Sequence, residues 1–156
     1  MEAQAQKILP APPTGLLLTA VGAIVLLVSL PRMASYAAMD NASDARLAVR
    51  LLGEAACAQP PETTAWLALL GDRSLRHRLQ DARPVGLGAE VRHHGYLLTR
   101  IGAESVLAWP ERPGPESLPA FLWTQSSGVR ELPAAPWSGP LPAGLTAEGL
   151  AALPWR

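Results

Sequence analysis

The run LLLTAVGAIVLLVSL at residues 16–30 constrains this chain more than any other feature. It carries no charge, and ten of its residues are Leu, Ile or Val. Each of these contributes roughly −0.3 to −0.6 kcal/mol near a bilayer centre, which outweighs the modest costs of Thr19, Gly22 and Ser29. The run is shorter than the ~20 residues needed to cross the hydrocarbon core. However, Pro31-Arg32 is followed by MASYAAM, with no further charge until Asp40. Arg32 can snorkel to the interface, and membrane helices tolerate proline as a kink, so residues 16–39 are expected to form one membrane segment. Residues 1–15 precede it as a leader.

Three readings compete for this segment. A cleaved secretory signal wants a more basic leader than one containing Lys7 alone, and a clearer cleavage site than residues 34–38 offer. A buried core helix would need more cover than so small a domain supplies. The anchor is favoured over both.

At 156 residues the chain has room for one modest domain besides the anchor. A net charge of zero gives no field that would recruit nucleic acid. The single cysteine, Cys57, excludes an internal disulfide framework and a multi-cysteine metal site. It is read as a small apolar residue at a helix end, since no neighbour in sequence would lower its pKa.

From residue 40 to 57 the period is that of an amphipathic helix, with Ala45, Ala48, Val49, Leu52, Ala55 and Ala56 on one stripe and Asp44, Arg50 and Glu54 off it. Pro60-Pro61 stops it. Residues 62–80 form a second short helix, or two helical turns separated by Gly71, with Thr63 or Thr64 as the cap. Arg73, Arg76, His77 and Arg78 make a basic cluster, read as a solvated face. From Val91 the period changes to that of strands: residues 95–101, 105–109, 120–125 and 129–132 make three to four strands of an antiparallel meander. The amphipathic helix is the natural cover for one face of that sheet, which gives an α+β domain over residues 40–132. Residues 133–156, with five prolines and two tryptophans, read as irregular coil.

This layout resembles that of type IV pilins and pseudopilins, and three stretches carry the resemblance. AIVLLVSLPRMASYAAMDNASDARLAVRLL (residues 23–52) is similar to the family's N-terminal helix. Trp66-Leu67-Ala68-Leu69-Leu70-Gly71, then Leu79-Gln80-Asp81-Ala82 and His94-Gly95-Tyr96-Leu97-Leu98, are similar to a paired motif of bacterial pilin-like proteins. Phe121-Leu122-Trp123-Thr124-Gln125-Ser126-Ser127-Gly128-Val129-Arg130 resembles the family's closing strand pair. The order and spacing of these pieces, over roughly residues 15–132, give the match its specificity.

The resemblance implies a non-enzymatic, membrane-anchored subunit of a type IV pilus or type II secretion-type assembly. Its partners would be the lipid bilayer, other pilin-like subunits and assembly proteins, with no cofactor. Prepilin-peptidase processing would fall between Gly15 and Leu16. The family has Phe-Thr-Leu-Ile-Glu after the glycine, whereas Gly15 is followed by Leu16-Leu17-Leu18-Thr19-Ala20, so Ala20 stands in the glutamate position. In a filament that glutamate compensates a neighbour's N-terminal amine; its loss implies a minor, tip or non-polymerising member. The family's topology places the domain outside the inner membrane, whereas Arg32, Arg46 and Arg50 after the span, against Lys7 before it, favour a cytoplasmic domain. A bitopic adaptor that tethers a small binding domain to the membrane is the alternative.

Among residues with chemical potential, His93-His94 stands out. Adjacent strand residues point to opposite faces, so the pair is not expected to share a metal. No serine sits in a nucleophile elbow, and no glycine-rich phosphate loop is present. The five tryptophans are expected to pack in the core and tail.

Overall fold

The computed structural model describes residues 14–58, 66–102, 104–113, 118–141 and 145–156. The leader up to residue 13 and the proposed caps Thr63 and Thr64 lie outside the described residues. One long helix, α1 (Thr14–Cys57), is followed by two short ones, α2 (Trp66–Gly71) and α3 (Arg73–Arg78). Six strands come next: β1 (Arg83–Val85), β2 (Glu90–His93), β3 (Tyr96–Arg100), β4 (Ser105–Pro110), β5 (Ala120–Thr124) and β6 (Gly128–Leu132). A last short helix, α4 (Ala147–Ala151), closes the order. The chain divides into two compact units, Met1–Ala37 and Ala38–Arg156.

In the first unit α1 runs on through Pro31. Its large apolar side chains face outward: Leu18 is 71% exposed, Leu27 72% and Met33 66%. Apolar surface on that scale is stable only when something other than water covers it, and the helix is long and apolar enough to cross a membrane.

In the second unit the stripe of α1 is buried as its period requires: Ala45, Ala48, Val49, Leu52 and Ala56 are within 1% of full burial. Asp44 departs from the simple polar face, being only half-exposed and engaged below. The division at Gly71 is real, and its physical cause is the next residue. Asp72 leaves the helical conformation and its carboxylate accepts hydrogen bonds from the Ser74 amide at 2.8 Å and the Ser74 hydroxyl at 2.5 Å, capping α3.

The α+β expectation holds, with a sheet of six strands where the sequence reading counts three to four. The order is β1-β2-β3-β4-β5-β6, every neighbour antiparallel and consecutive. The added strands are the first two, which are short and carry one or two apolar residues each, too few to mark a period.

Side chains alternate strictly across the last four strands, β3 to β6. Tyr96, Leu98, Val106, Ala108, Phe121 and Trp123 join α1, α2 and α3 in one cluster. Leu97, Leu107, Trp109, Ala120, Leu122 and Leu132 form a second cluster on the opposite face. That second face is covered by the described part of residues 133–156, which is irregular as expected apart from the short helix α4, and which packs its side chains onto the sheet. Thr146 caps α4 by accepting from the Gly149 amide, Leu150 is 1% exposed, and Trp137, Leu145, Leu153 and Trp155 pack beside it. The Trp109 indole donates to the Gly139 carbonyl at 2.7 Å, and the Trp155 indole to that of Leu150 at 2.6 Å. Prolines and glycines break the helical and strand periods of this stretch without preventing it from burying side chains. Truncating Leu52, with no exposed surface, should cost about 2–5 kcal/mol as a Leu52→Ala change, measured by urea unfolding.

Candidate functional site

Of the positions singled out in the sequence, Gly15, Ala20 and Pro31 all lie on exposed surface of α1. Leu16 lies in the same helix; its side chain is outside the described residues. The Thr19 hydroxyl donates to the Gly15 carbonyl at 2.5 Å, a local bond within the helix rather than a site. Arg73, Arg76, His77 and Arg78 are exposed on α3, and Cys57 is half-buried against the core. All five tryptophans are buried or half-buried, one cluster holding Trp66 and Trp123, the other Trp109, Trp137 and Trp155.

The groups with the most chemistry gather elsewhere, in a cleft of about 280 Å³ lined among others by Asp44, His77, Arg78, Asp81, His93 and His94. The expectation that the two adjacent histidines face apart is overturned. His94 is not on a strand: it is the first residue of the two-residue loop between β2 and β3, since His93 pairs directly with Tyr96. Its φ is +44° and that of Gly95 is +76°, the sign that a tight hairpin loop of the type I′ class demands at both central positions. Strand parity therefore does not apply, and the two imidazoles stack with centroids 4.2 Å apart and planes 14° from parallel. The signal was in the sequence: His-Gly between two strands is a turn dipeptide.

The two rings have opposite environments. His93 faces α1 and is 5% exposed, and its Nδ1 is buried without a hydrogen-bond partner. Burial, then the adjacent His94, holds its pKa below the ordinary value, so it stays neutral. His94 has both ring nitrogens on carboxylates, Nδ1 at 2.5 Å from Asp44 of α1 and Nε2 at 3.2 Å from Asp81 in the α3–β1 loop. Hydrogen bonds to Asp81 and Asp44 raise its pKa above the ordinary value. The stacked pair is therefore built to hold one proton, on His94.

Further along α1, Arg46, Leu47, Arg50 and Glu54 face Trp123 and Val129 across an open groove of about 630 Å³. Arg50 is already paired with Glu54 at 2.8 Å on the exposed helix surface, where water and salt screen the contact. Among the described residues no group of three or more His, Cys, Asp or Glu is arranged to hold a metal ion. No protein-family model matches the chain, and neither does any curated protein or solved structure.

Proposed function

We propose that this chain is a pilin-like or pseudopilin-like subunit of a type IV pilus or type II secretion-type assembly, anchored in the bacterial inner membrane with its domain on the extracytoplasmic side. It acts by assembly and turns over no substrate. The observation that carries the reading is the change of character along α1: large apolar side chains exposed up to Met39, then a buried stripe from Ala45 to Ala56 against an antiparallel meander. The first part suits a bilayer or the packed helices of neighbouring subunits, and the second fixes it to a globular unit. Ala20 favours a minor or tip position over a polymerising one, because a homopolymer would bury each N-terminal amine without a partner charge, at several kcal/mol per interface. The same residue supports the second reading, a bitopic adaptor outside any filament.

Carbonate-washed membranes should retain the full chain, and a phosphatase fused after Arg156 should be active outside the cytoplasm; a soluble full chain would remove the anchor. The mature N-terminus separates the two readings. A mass corresponding to a start at Leu16 supports the pilin class, whereas an intact Met1 supports the adaptor. Expressed with an assembly machinery but no other pilin, the chain should form no filaments, and long filaments seen by electron microscopy would refute the role assigned to Ala20.

A further inference from the structure

The His94 loop joins three parts of the globular unit, namely α1, the loop between α3 and β1, and the β2–β3 hairpin. We propose that His94 is a proton-operated clasp: as imidazolium it ties Asp44 of α1 to Asp81 of the α3–β1 loop, and on losing its proton it lets the loop go.

The argument starts from what an imidazole can donate. A neutral ring has one N–H and one lone pair; only the imidazolium has two N–H groups. Both nitrogens of His94 face carboxylate oxygens, Nδ1 on Asp44 at 2.5 Å and Nε2 on Asp81 at 3.2 Å. Carboxylates at neutral pH only accept, so the arrangement can be satisfied on both sides by the charged ring alone. Deprotonation leaves one nitrogen lone pair against one carboxylate, which is repulsive. The Asp44 contact is the shorter, and its carboxylate is carried by α1 beside the buried stripe that fixes this helix to the sheet. Asp81 lies in a loop and its side chain is 70% exposed, so it is the arm that yields.

Every charged or titratable group at the site bears on this assignment. His93 is stacked on His94 from β2, and its burial makes it a poor second site for the proton. His77 and Arg78 of α3 line the same cleft, but the hydrogen bonds of His94 go to the two carboxylates. The positive φ of His94 is an unusual conformation for a residue other than glycine, asparagine or aspartate, and it aims the ring back across the cleft.

The sign of the pH dependence follows. The folded pKa of His94 is raised above the unfolded value near 6.5, so the clasp is fully closed below that value and opens as pH rises through the folded pKa. His93 works the other way: its folded pKa is lowered, so protonating it at acid pH costs stability. The cluster is therefore most stable between the two titrations.

Hydrogen–deuterium exchange of the full chain in detergent micelles, corrected for intrinsic rates and followed from acid to mildly alkaline pH, tests the clasp. Exchange at residues 79–82 should quicken by roughly two- to fivefold as His94 deprotonates, the scale of a partly exposed ion pair. Asp81→Asn is the diagnostic variant. Its amide N–H can donate to the neutral Nε2 while Nδ1–H still donates to Asp44, so the loop should stay protected at high pH and the pH dependence should vanish. His94→Asn, which keeps a residue tolerant of positive φ, should leave the loop open at every pH. Protection that does not change across the His94 titration in the unmodified chain would overturn the proposal. So would a pH dependence that survives in Asp81→Asn.

Discussion

A chain cut after Leu132 should fail to fold cooperatively. The cut removes Leu150, Trp137, Leu145, Leu153 and Trp155 from the face that holds Leu97, Leu107, Trp109, Ala120, Leu122 and Leu132, each now at most 5% exposed. Uncovering a buried Leu or Phe-sized side chain costs about 1.5–3 kcal/mol, and a domain's whole stability is about 5–15 kcal/mol, so baring this face exceeds what the domain can lose. The hydrogen bond from Trp109 to the Gly139 carbonyl goes with it. Dye binding to exposed apolar surface, with loss of the near-ultraviolet dichroism of the tryptophans, should report the change. A sharp, two-state urea transition in the shortened chain would show that residues 133–156 are dispensable cover.

Gly53→Ala should destabilise the globular unit by about 2–3 kcal/mol, the cost of forcing a group into a filled core. The direction is opposite to the usual one, because glycine inside a helix normally costs about 0.5–1 kcal/mol relative to alanine. Here a Cβ would stand 2.2 Å from Cδ2 and 2.3 Å from Cε3 of Trp123, atoms of a rigid ring rather than of a flexible chain end. Gly53 has ordinary helical φ; it is needed for the close approach of α1 to β5. Relieving the clash from the other side tests the cause. On a Trp123→Leu background the alanine penalty should shrink or change sign, giving a large coupling in a double-mutant cycle. A stabilising Gly53→Ala in the unmodified chain would mean that the indole can move aside freely.

Legibility in the sequence followed the length and purity of each pattern. The stripe from Ala45 to Ala56 and the last four strands, β3 to β6, repeat long enough to be read, and the apolar run at residues 16–30 needs only its lack of charge. The first strand escapes because Arg83-Pro84-Val85 shows no alternation, and the strand period that begins at Val91 is too short to reveal that Glu90–His93 is a strand of its own, closed by a hairpin loop. The role of residues 133–156 was half visible. Leu97, Leu107, Trp109 and Leu122 interleave with core residues of the other face, so the strands are apolar on both sides, a pattern that calls for two covers rather than one. The only remaining stretch able to supply the second was the proline-rich one. The histidine cluster is hard to read for a different reason: one residue's assignment, strand or turn, reverses which way a side chain points, and only the glycine after His94 hints at its positive φ.

The pairing of Arg156 with β6 sets how the sheet can meet other molecules. The Arg156 amide donates to the Glu131 carbonyl and the Glu131 amide to the Arg156 carbonyl, both at 2.9 Å. A strand arriving from another chain would have to displace this closed ring before it could zip along β6. At the far edge β1 offers three residues, and Pro84 has no N–H to give. Neither margin is a ready template for edge-to-edge growth, which is how sheet proteins commonly aggregate. Crowding many copies together on a membrane surface is therefore tolerable for this domain: neighbours can touch through side chains while their backbones remain closed to one another.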